Sequence, residues 1–192
     1  MNHQPLPEEQ RDMAVRLAWS LLWTPYQWAG DDPSAFDCSG MYVAILGYVG
    51  SIPLNQDYSA HGLYGVFRGG AQEKPYAGCL VFWWNGTSAN KQIVHVEMLI
   101  DKYWTIGASG GGRPRFNIRN EIQKDPLLRQ FYGHLSEEDI EKRKGDFVID
   151  LIRRELYKKQ AIEQNAFIQP HLLNYRGDKY IICDPFADNG TG

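Results

Sequence analysis

The 192-residue chain has 43% hydrophobic and 22% charged side chains, which is enough apolar material for one packed domain and excludes a wholly disordered chain. Its net charge of −3, from 20 basic and 23 acidic residues, provides no excess positive charge for a nucleic-acid backbone, so no nucleic-acid partner is expected. No apolar run approaches the roughly 20 residues that span a bilayer, and the polar, acidic N-terminus does not resemble a signal peptide.

The three cysteines, Cys38, Cys79 and Cys183, do not make a disulfide framework, because an odd number leaves at least one unpaired. The chain has no CxxC motif and only five histidines, so we expect no structural zinc site and no other cofactor. Each cysteine is therefore expected to be a free thiol, either buried and inert or reactive.

Two helices separated by a turn-rich loop are predicted first. Apolar residues recur at helical spacing between Met13 and Leu22, and Pro25 ends this pattern. The loop WAGDDPSAFD follows. Asp37 is then a good N-cap for the segment CSGMYVAILGYVG, which is apolar nearly all round and predicts a buried helix beginning at Cys38.

Three consecutive strands are predicted after Gly78, in the segments CLVFWW, QIVHVEMLI and YWTIGAS. Alternation places the following side chains on the core face: Val94, Val96, Met98 and Ile100 of the second strand, and Trp104, Ile106 and Ala108 of the third. The opposite face holds Ile93, His95, Glu97 and Leu99 of the second strand, and Thr105, Gly107 and Ser109 of the third. If these strands form a hairpin, His95 and Glu97 share a face with Gly107 and Ser109.

The C-terminal third of the sequence predicts a charged helical stretch followed by two more strands. Residues from about Glu121 to Gln164 form the helical stretch, which Gly145 is expected to divide. The tail has two strand-like pieces about a Gly177-Asp178 turn, and both are expected to return to the sheet. The predicted fold class is α+β in a single domain over residues 1–192, in which an antiparallel sheet of five or six strands packs on the helix that carries Cys38. Its core covers about 10–118 and 165–187, with a helical insertion over about 121–164.

Cys38 and His95 are the candidates for chemistry. A helix N-terminus presents unpaired N–H groups and a partial positive charge, which favour the thiolate of Cys38 as a nucleophile. His95 points away from an apolar stripe on a later strand, where it is placed to act as a base. Taken singly, each residue also fits a plainer role, as a buried inert thiol and as an ordinary strand histidine.

Three blocks of the sequence resemble the NlpC/P60 family of papain-like cysteine peptidases. The run YQWAGDDPSAFDCSGM is similar to the family's Asp-Cys-Ser-Gly block, and AGCLVFWW and HVEMLI are similar to its next two blocks in the same order. The resemblance covers roughly residues 26–109. The family cleaves peptide bonds of the cell-wall stem peptide, commonly between D-γ-glutamyl and a diamino acid. This resemblance implies a papain-like fold and a cysteine endopeptidase whose partner is the peptidoglycan stem peptide.

The resemblance also assigns roles residue by residue. It implies that Cys38 is the nucleophile and that His95 is the general base and acid. Tyr26 matches a tyrosine whose hydroxyl lies near the nucleophile, where it helps the Cys38 N–H to stabilise an oxyanion. Asp37 and Ser39 match positions that bind the free amine of a stem peptide in some members. Packing for Tyr26 and plain helix capping for Asp37 remain open alternatives.

The sequence departs from the family where a third polar residue should orient the histidine. That position falls on Gly107, which has no side chain. The alternatives are Ser109, Glu97, a backbone carbonyl, or a water held in the space that Gly107 leaves; of these, a water or a backbone group is favoured. Glu97 beside His95 is expected to raise the pKa of the imidazole and so favour an ion pair with Cys38.

This variant of the pattern, with GCLVFWW, HVEM and IGASGGG, is most similar to copies carried by bacteriophages. The resemblance implies a tail-associated or lysis enzyme, located in the virion or in the host cytoplasm before release. The helical region over 121–164 is then a docking surface for phage tail proteins or a lid over the cleft. Two alternatives stay open: a structural virion protein that has lost the chemistry, and an amidase or acyltransferase acting on another substrate.

Overall fold

The computed structural model describes residues 7–72, 75–111, 116–143 and 145–187. The helices are α1 (Pro7–Ser20), α2 (Cys38–Tyr48), α3 (Ala60–Phe67), α4 (Ile118–Lys124), α5 (Pro126–Tyr132), α6 (Glu137–Lys142) and α7 (Phe147–Gln164). The strands are β1 (Asp31–Asp32), β2 (Ala35–Phe36), β3 (Leu80–Thr87), β4 (Asn90–Leu99), β5 (Trp104–Ala108), β6 (Ile168–Leu172) and β7 (Tyr180–Cys183). Within the described ranges, no helix is long and apolar enough to cross a membrane.

Five strands form one antiparallel sheet in the order β6-β5-β4-β3-β7, and β1 and β2 form a separate small ribbon. The two C-terminal strands both join the main sheet, as the sequence predicts, but they lie at its opposite edges. The segment 173–179 between them therefore crosses from one edge of the sheet to the other. This crossing brings residues from the end of the chain to the middle of the sheet.

Helix α2 packs on the sheet through a core that both elements share. Met41, Tyr42, Ile45 and Leu46 of this helix are fully buried. The hydroxyl of Tyr42 donates a hydrogen bond to the Ile106 carbonyl of β5 and accepts one of 3.0 Å from the Met98 N–H of β4. The helix is thereby fixed to the strands that flank the predicted site, and the predicted α+β arrangement is confirmed.

The start of α2 also lies very close to the loop before it. A Cβ atom at Gly40 would lie 2.1 Å from the Gly30 carbonyl oxygen, so only glycine fits there. Asp37 caps the helix at an extended backbone conformation, as expected from the sequence. Cys38 is therefore the first residue of a buried helix, as the sequence predicts.

The predicted assignment of β4 to two faces is wrong at Val94, because the strand contains a β-bulge. Trp83 of β3 pairs with His95 while Trp84 pairs with Ile93, so Val94 has no partner opposite it. Beyond the bulge, Val96 and Met98 lie in the core as predicted, whereas Val94 is 48% exposed and Ile93 joins the core instead. A bulge reverses the alternation, which a strict period of two does not anticipate.

On β5, the predicted core positions Ile106 and Ala108 are fully buried, but Trp104 is wrongly assigned. Trp104 is the first residue of the strand and is 41% exposed. It pairs with Leu172 at the end of β6, which is itself exposed. The indole thus lies at the end of the sheet, beyond the covering helices.

Four helices, α4 to α7, follow β5 and precede β6 in the sequence, and they form a small hydrophobic core of their own. This core contains Ile122, Leu135, Ile140 and Ile149. Ser136 and Asp139 make a reciprocal capping box at the start of α6. The predicted break is confirmed, since α6 ends at Lys142 and α7 begins at Phe147, with Gly145 between them at φ +92°.

Candidate active site

A cleft of about 490 Å³ opens at the N-terminus of α2 and brings most of the predicted site residues together. Its walls include the following predicted residues: Tyr26, Asp37, Cys38, Ser39, His95 and Ser109. Glu97 lies behind His95, fully buried in the sheet. The cleft has room for an extended peptide segment beside the Cys38 thiol.

Cys38 is the one partly exposed cysteine, since Cys79 and Cys183 are fully buried away from the cleft. Burial of the sulfur raises the pKa of the Cys38 thiol to about 12, and the Asp37 carboxylate adds to this shift. A hydrogen bond from the backbone of Val96 and the charge of Arg176 act in the opposite direction. The shift is opposite in direction to the lowered pKa that the sequence predicts for Cys38, and burial of the sulfur is its largest cause.

The His95 imidazole is oriented by two groups, and both contact the same ring nitrogen. Nε2 lies 2.8 Å from Oε1 of Glu97 and 3.1 Å from the Tyr175 hydroxyl. With the proton on Nε2, the lone pair is on Nδ1, which is the nitrogen left to act as a base. Burial lowers the pKa of His95, although the adjacent Glu97 raises it, so the expected net increase is wrong. Both shifts favour the uncharged forms, a thiol at Cys38 and a neutral imidazole at His95.

Glu97 is a buried carboxylate that four side chains hold in place. Besides His95, its oxygens accept hydrogen bonds of 2.7 Å from Thr105 Oγ1 and 2.6 Å from the Tyr175 hydroxyl. His171 Nδ1 lies 3.1 Å from Oε1 and 3.2 Å from Oε2. Burial alone would raise the pKa of Glu97, but the hydrogen bonds from the two histidines hold it well below its usual range. Glu97 is therefore an anion at neutral pH.

The missing side chain at Gly107 is explained by the position of Glu97. A Cβ atom at Gly107 would lie 2.4 Å from Cγ and 2.8 Å from Cδ of Glu97. The Glu97 side chain thus occupies the space next to Gly107 in place of the water or backbone group that the sequence favoured. Ser109, the other side-chain candidate, bonds at 3.0 Å to Nε2 of His171 and so contacts Glu97 only through that ring.

We expect Gly107→Ala to disturb this arrangement more than an alanine elsewhere. The new methyl group forces Glu97 away from His95, and overpacking of this kind costs about 1–3 kcal/mol of stability. Gly65→Ala is the matched control, because a Cβ at Gly65 meets nothing within 4 Å and alanine is the better helix former. Thermal unfolding and turnover of both variants provide the test. An equal Tm and an equal turnover of the two variants would contradict the close contact between Gly107 and Glu97.

Asp37 acts as a helix cap, which confirms one of its two predicted alternatives. Its Oδ1 accepts hydrogen bonds from the Ser39 N–H at 2.8 Å, the Gly40 N–H at 2.8 Å and the Ser39 hydroxyl at 2.9 Å. Oδ2 accepts a fourth from the Ala29 N–H at 3.1 Å. These bonds fix the turn that presents Cys38. Substrate binding by Asp37 and Ser39 stays a prediction.

Tyr26 is buried at the edge of the cleft and packs closely against the backbone. A Cβ atom at Gly111 would lie 2.0 Å from Cδ1 of the Tyr26 ring, so the ring fills the space next to this glycine. The packing alternative therefore accounts for its position. A role for its hydroxyl at the oxyanion stays a prediction that is consistent with its place in the cleft wall.

Sequence reasoning missed three residues from the end of the chain: His171, Tyr175 and Arg176. The Tyr175 ring stacks on His171 with centroids 4.3 Å apart and lies edge-on to Trp83 at 5.7 Å. Arg176 Nε donates a 2.6 Å hydrogen bond to the Tyr175 hydroxyl and lines the cleft. The sequence predicts strands on either side of this segment, but no local pattern indicates that the segment crosses the sheet.

Acid is expected to weaken the fold through Glu97. Its pKa is depressed in the folded protein, so the unfolded chain binds a proton more readily. The stability that the buried carboxylate contributes is therefore present above pH 4.5, its ordinary pKa, and is lost as the pH falls below that value. We expect the difference in Tm between wild type and Glu97→Gln to narrow between pH 7 and pH 3.5. A constant difference across this range would contradict the depressed pKa.

The NlpC/P60 family profile matches residues 23–131, which is more than half of the chain. The chain belongs to the NlpC/P60 family. The central antiparallel sheet with the cysteine-bearing helix packed on it is the papain-like fold of this family. The match extends past the predicted blocks to include α4 and most of α5, and it ends before the segment that carries His171, Tyr175 and Arg176.

Solved structures similar to this chain also come from NlpC/P60 proteins. An NLP/P60-family lipoprotein-like protein of Staphylococcus aureus is 22% identical with a TM-score of 0.44, over 53% of this chain and 34% of its own. NlpC2 of Trichomonas vaginalis is 22% identical with a TM-score of 0.45, over 54% and 39% respectively. The NlpC/p60 domain of the peptidoglycan hydrolase SagA is 25% identical with a TM-score of 0.38, over 50% and 78%. The aligned part thus spans about a third of the first of these proteins. Among curated proteins, none matches the chain.

Proposed function

We propose that this protein is a cysteine endopeptidase that hydrolyses peptide bonds of peptidoglycan stem peptides. The observation that carries the proposal is the placing of Cys38 and His95 in one cleft, with Glu97 bonded to Nε2 of the imidazole. Family membership supports it, since the family generally comprises cysteine peptidases or amidases that act on peptidoglycan.

In the proposed reaction, Nδ1 of His95 takes the thiol proton while the sulfur of Cys38 attacks the amide carbon. The carbonyl oxygen becomes an oxyanion, which the Cys38 N–H and the Tyr26 hydroxyl stabilise. The imidazolium then gives its proton to the amide nitrogen as the C–N bond breaks, which releases an amine and leaves a thioester. Water attacks the thioester with His95 again accepting a proton, and a carboxylic acid leaves as the Cys38 thiol is restored.

The direction of the pKa shifts fits a neutral resting pair in this reaction. Because burial raises the pKa of Cys38 and lowers that of His95, proton transfer accompanies the attack instead of preceding it. The ionised Glu97 then stabilises the imidazolium that forms, as an aspartate does in a serine protease. Glu97 is thus the orienting group in this proposal.

The finer parts of the proposal are supported by sequence resemblance. We assign the bond as D-γ-glutamyl–diamino acid because the family that the three sequence blocks resemble commonly cleaves there. The likeness of GCLVFWW, HVEM and IGASGGG to bacteriophage copies supports a tail-associated or lysis role in the virion or the host cytoplasm. The helices α4 to α7 would then contact phage tail proteins. An inactive structural protein is disfavoured, because Glu97 bonds to His95 where Gly107 has no side chain to offer.

Digestion of purified sacculi tests the proposal directly. We expect soluble fragments whose masses show one new amino and one new carboxyl terminus within the stem peptide, and no change in the glycan linkages. Pretreatment that carbamidomethylates Cys38 should abolish their release. Release of intact stem peptides from muramic acid would indicate an amidase instead, and the absence of any product would contradict a hydrolase.

A further inference from the structure

We propose that Arg176 forms a carboxylate-binding subsite in the cleft and selects peptides with a free carboxylate next to the scissile amide. This inference rests on the proposed function and adds the substrate class. Arg176 lies outside the family-matched residues 23–131, in the segment 173–179 that crosses the sheet. Of the described residues that line the cleft, it is the one Lys or Arg.

The guanidinium is held at the cleft by Tyr175. The Tyr175 hydroxyl is fixed by Glu97 and His95, and its ring by His171, so this tyrosine is a rigid support. Arg176 Nε donates to that hydroxyl at 2.6 Å, and its Cζ lies 5.1 Å from the ring centroid. The support therefore uses one N–H of the fork and leaves the two terminal nitrogens, which make no ion pair with any described residue.

The acidic residue that shares the cleft wall makes no ion pair with this cation. Asp37 also lines the cleft, but its two oxygens accept four hydrogen bonds from the turn around Cys38. The Arg176 charge reaches the reacting groups, because it lowers the pKa of both Cys38 and His95. Among the described residues that line it, the cleft thus has one guanidinium, at Arg176, and one carboxylate, at Asp37.

A planar guanidinium with two unused N–H₂ groups is suited to a two-point contact with a carboxylate. A neutral carboxamide in the same place loses the charge and turns one acceptor into a donor. Hydrogen bonds to a charged group contribute about 1.5–3 kcal/mol, which corresponds to about a tenfold to hundredfold preference for the carboxylate.

Three matched stem peptides provide the test: one with both carboxylates free, one amidated on the acyl side of the scissile bond, and one amidated at the C-terminus of the leaving side. We expect wild type to lose about tenfold to a hundredfold in kcat/KM for one amidated peptide, which identifies the carboxylate. Arg176→Gln should lose that discrimination, and Arg176→Lys should keep part of it. Lys179→Gln is the matched control, because it removes one positive charge from the same segment outside the cleft wall.

Binding of the same peptides to Cys38→Ala, with and without Arg176→Gln, separates this inference from the proposed function. Binding that depends on the carboxylate and on Arg176 supports the subsite even if wild type cleaves none of the peptides, in which case the proposed function fails. Cleavage of all three peptides at equal rates overturns the subsite and leaves the endopeptidase in place. An equal loss on every peptide in Arg176→Gln also overturns it, since Arg176 would then act only by supporting Tyr175.

Discussion

Cys38→Ala is expected to reduce cleavage of stem peptides by about 10³-fold or more, because no other described thiol lies in the cleft. The substitution removes the attacking sulfur and leaves the histidine without a proton to accept. Since Cys38 is only partly buried at the first position of α2, the fold should persist. Single-turnover assays with a defined peptide measure the loss, and thermal unfolding confirms that the variant is folded.

Cys183→Ala is the matched control for this prediction. It also removes a thiol, but from a fully buried position in β7 that packs in the main core. We expect this variant to lose some stability, because the smaller side chain leaves a void, and to keep wild-type turnover. Turnover that survives in Cys38→Ala, or that is lost equally in both variants, would exclude Cys38 as the nucleophile.

We expect His95→Ala to reduce cleavage as Cys38→Ala does. Burial raises the pKa of the Cys38 thiol to about 12, and without the imidazole no base takes its proton. Attack by Cys38 should therefore recover at alkaline pH in His95→Ala, as hydroxide replaces the base. The rate of carbamidomethylation of Cys38 as a function of pH provides the measurement. A labelling rate at pH 7 equal to that of wild type would show that His95 does not act on Cys38.

The sequence predicts correctly that Cys38 and His95 line one cleft, because both lie in elements with strong local signals. Asp37 is a good cap, and the apolar run after it makes a buried helix starting at Cys38 necessary. The alternation along β4 and β5 places Glu97, Gly107 and Ser109 on one face, and the structure confirms this sharing. Period and capping are local properties, so one sequence is enough to find them.

The sequence names Glu97 among the candidates for the group beside His95 but favours a water or a backbone group, because the contact that forms depends on two non-local features. The first is a close fit: only the coordinates show that Glu97 fills the space beside Gly107. The second is the path of the tail, which runs from β6 to β7 at the opposite edge and so brings Tyr175 to Glu97, while His171 reaches Glu97 from β6 itself. Burial likewise reversed the expected pKa shift at Cys38, since helix position is visible in a sequence and desolvation is not.

Glu97→Gln is expected to lower kcat by about 10²- to 10⁴-fold, although the amide has the same shape. A neutral amide has one acceptor oxygen for hydrogen bonds that now come from His95, His171, Thr105 and Tyr175, and it brings no charge to stabilise an imidazolium. The pH profile distinguishes this role from a merely structural one. Glu97 raises the pKa of His95 against the effect of burial, so removing its charge lowers that pKa further. The acid limb of kcat/KM should therefore move to lower pH.

The strongest control moves the polar side chain beside His95 from Glu97 on β4 to position 107 on β5. Glu97→Ala empties the space beside Gly107 and should abolish the proposed turnover. Gly107→Asn added to it returns a polar side chain to the position at which the family resemblance expects the third polar residue. We expect the double variant to recover part of the lost turnover, whereas Gly107→Asn alone meets Glu97 and disturbs the site. His171→Gln keeps the contact between Glu97 and His95 in place, so we expect it to lower kcat by only about tenfold. An unchanged acid limb in Glu97→Gln, together with no recovery in the double variant, would exclude Glu97 as the group that orients His95.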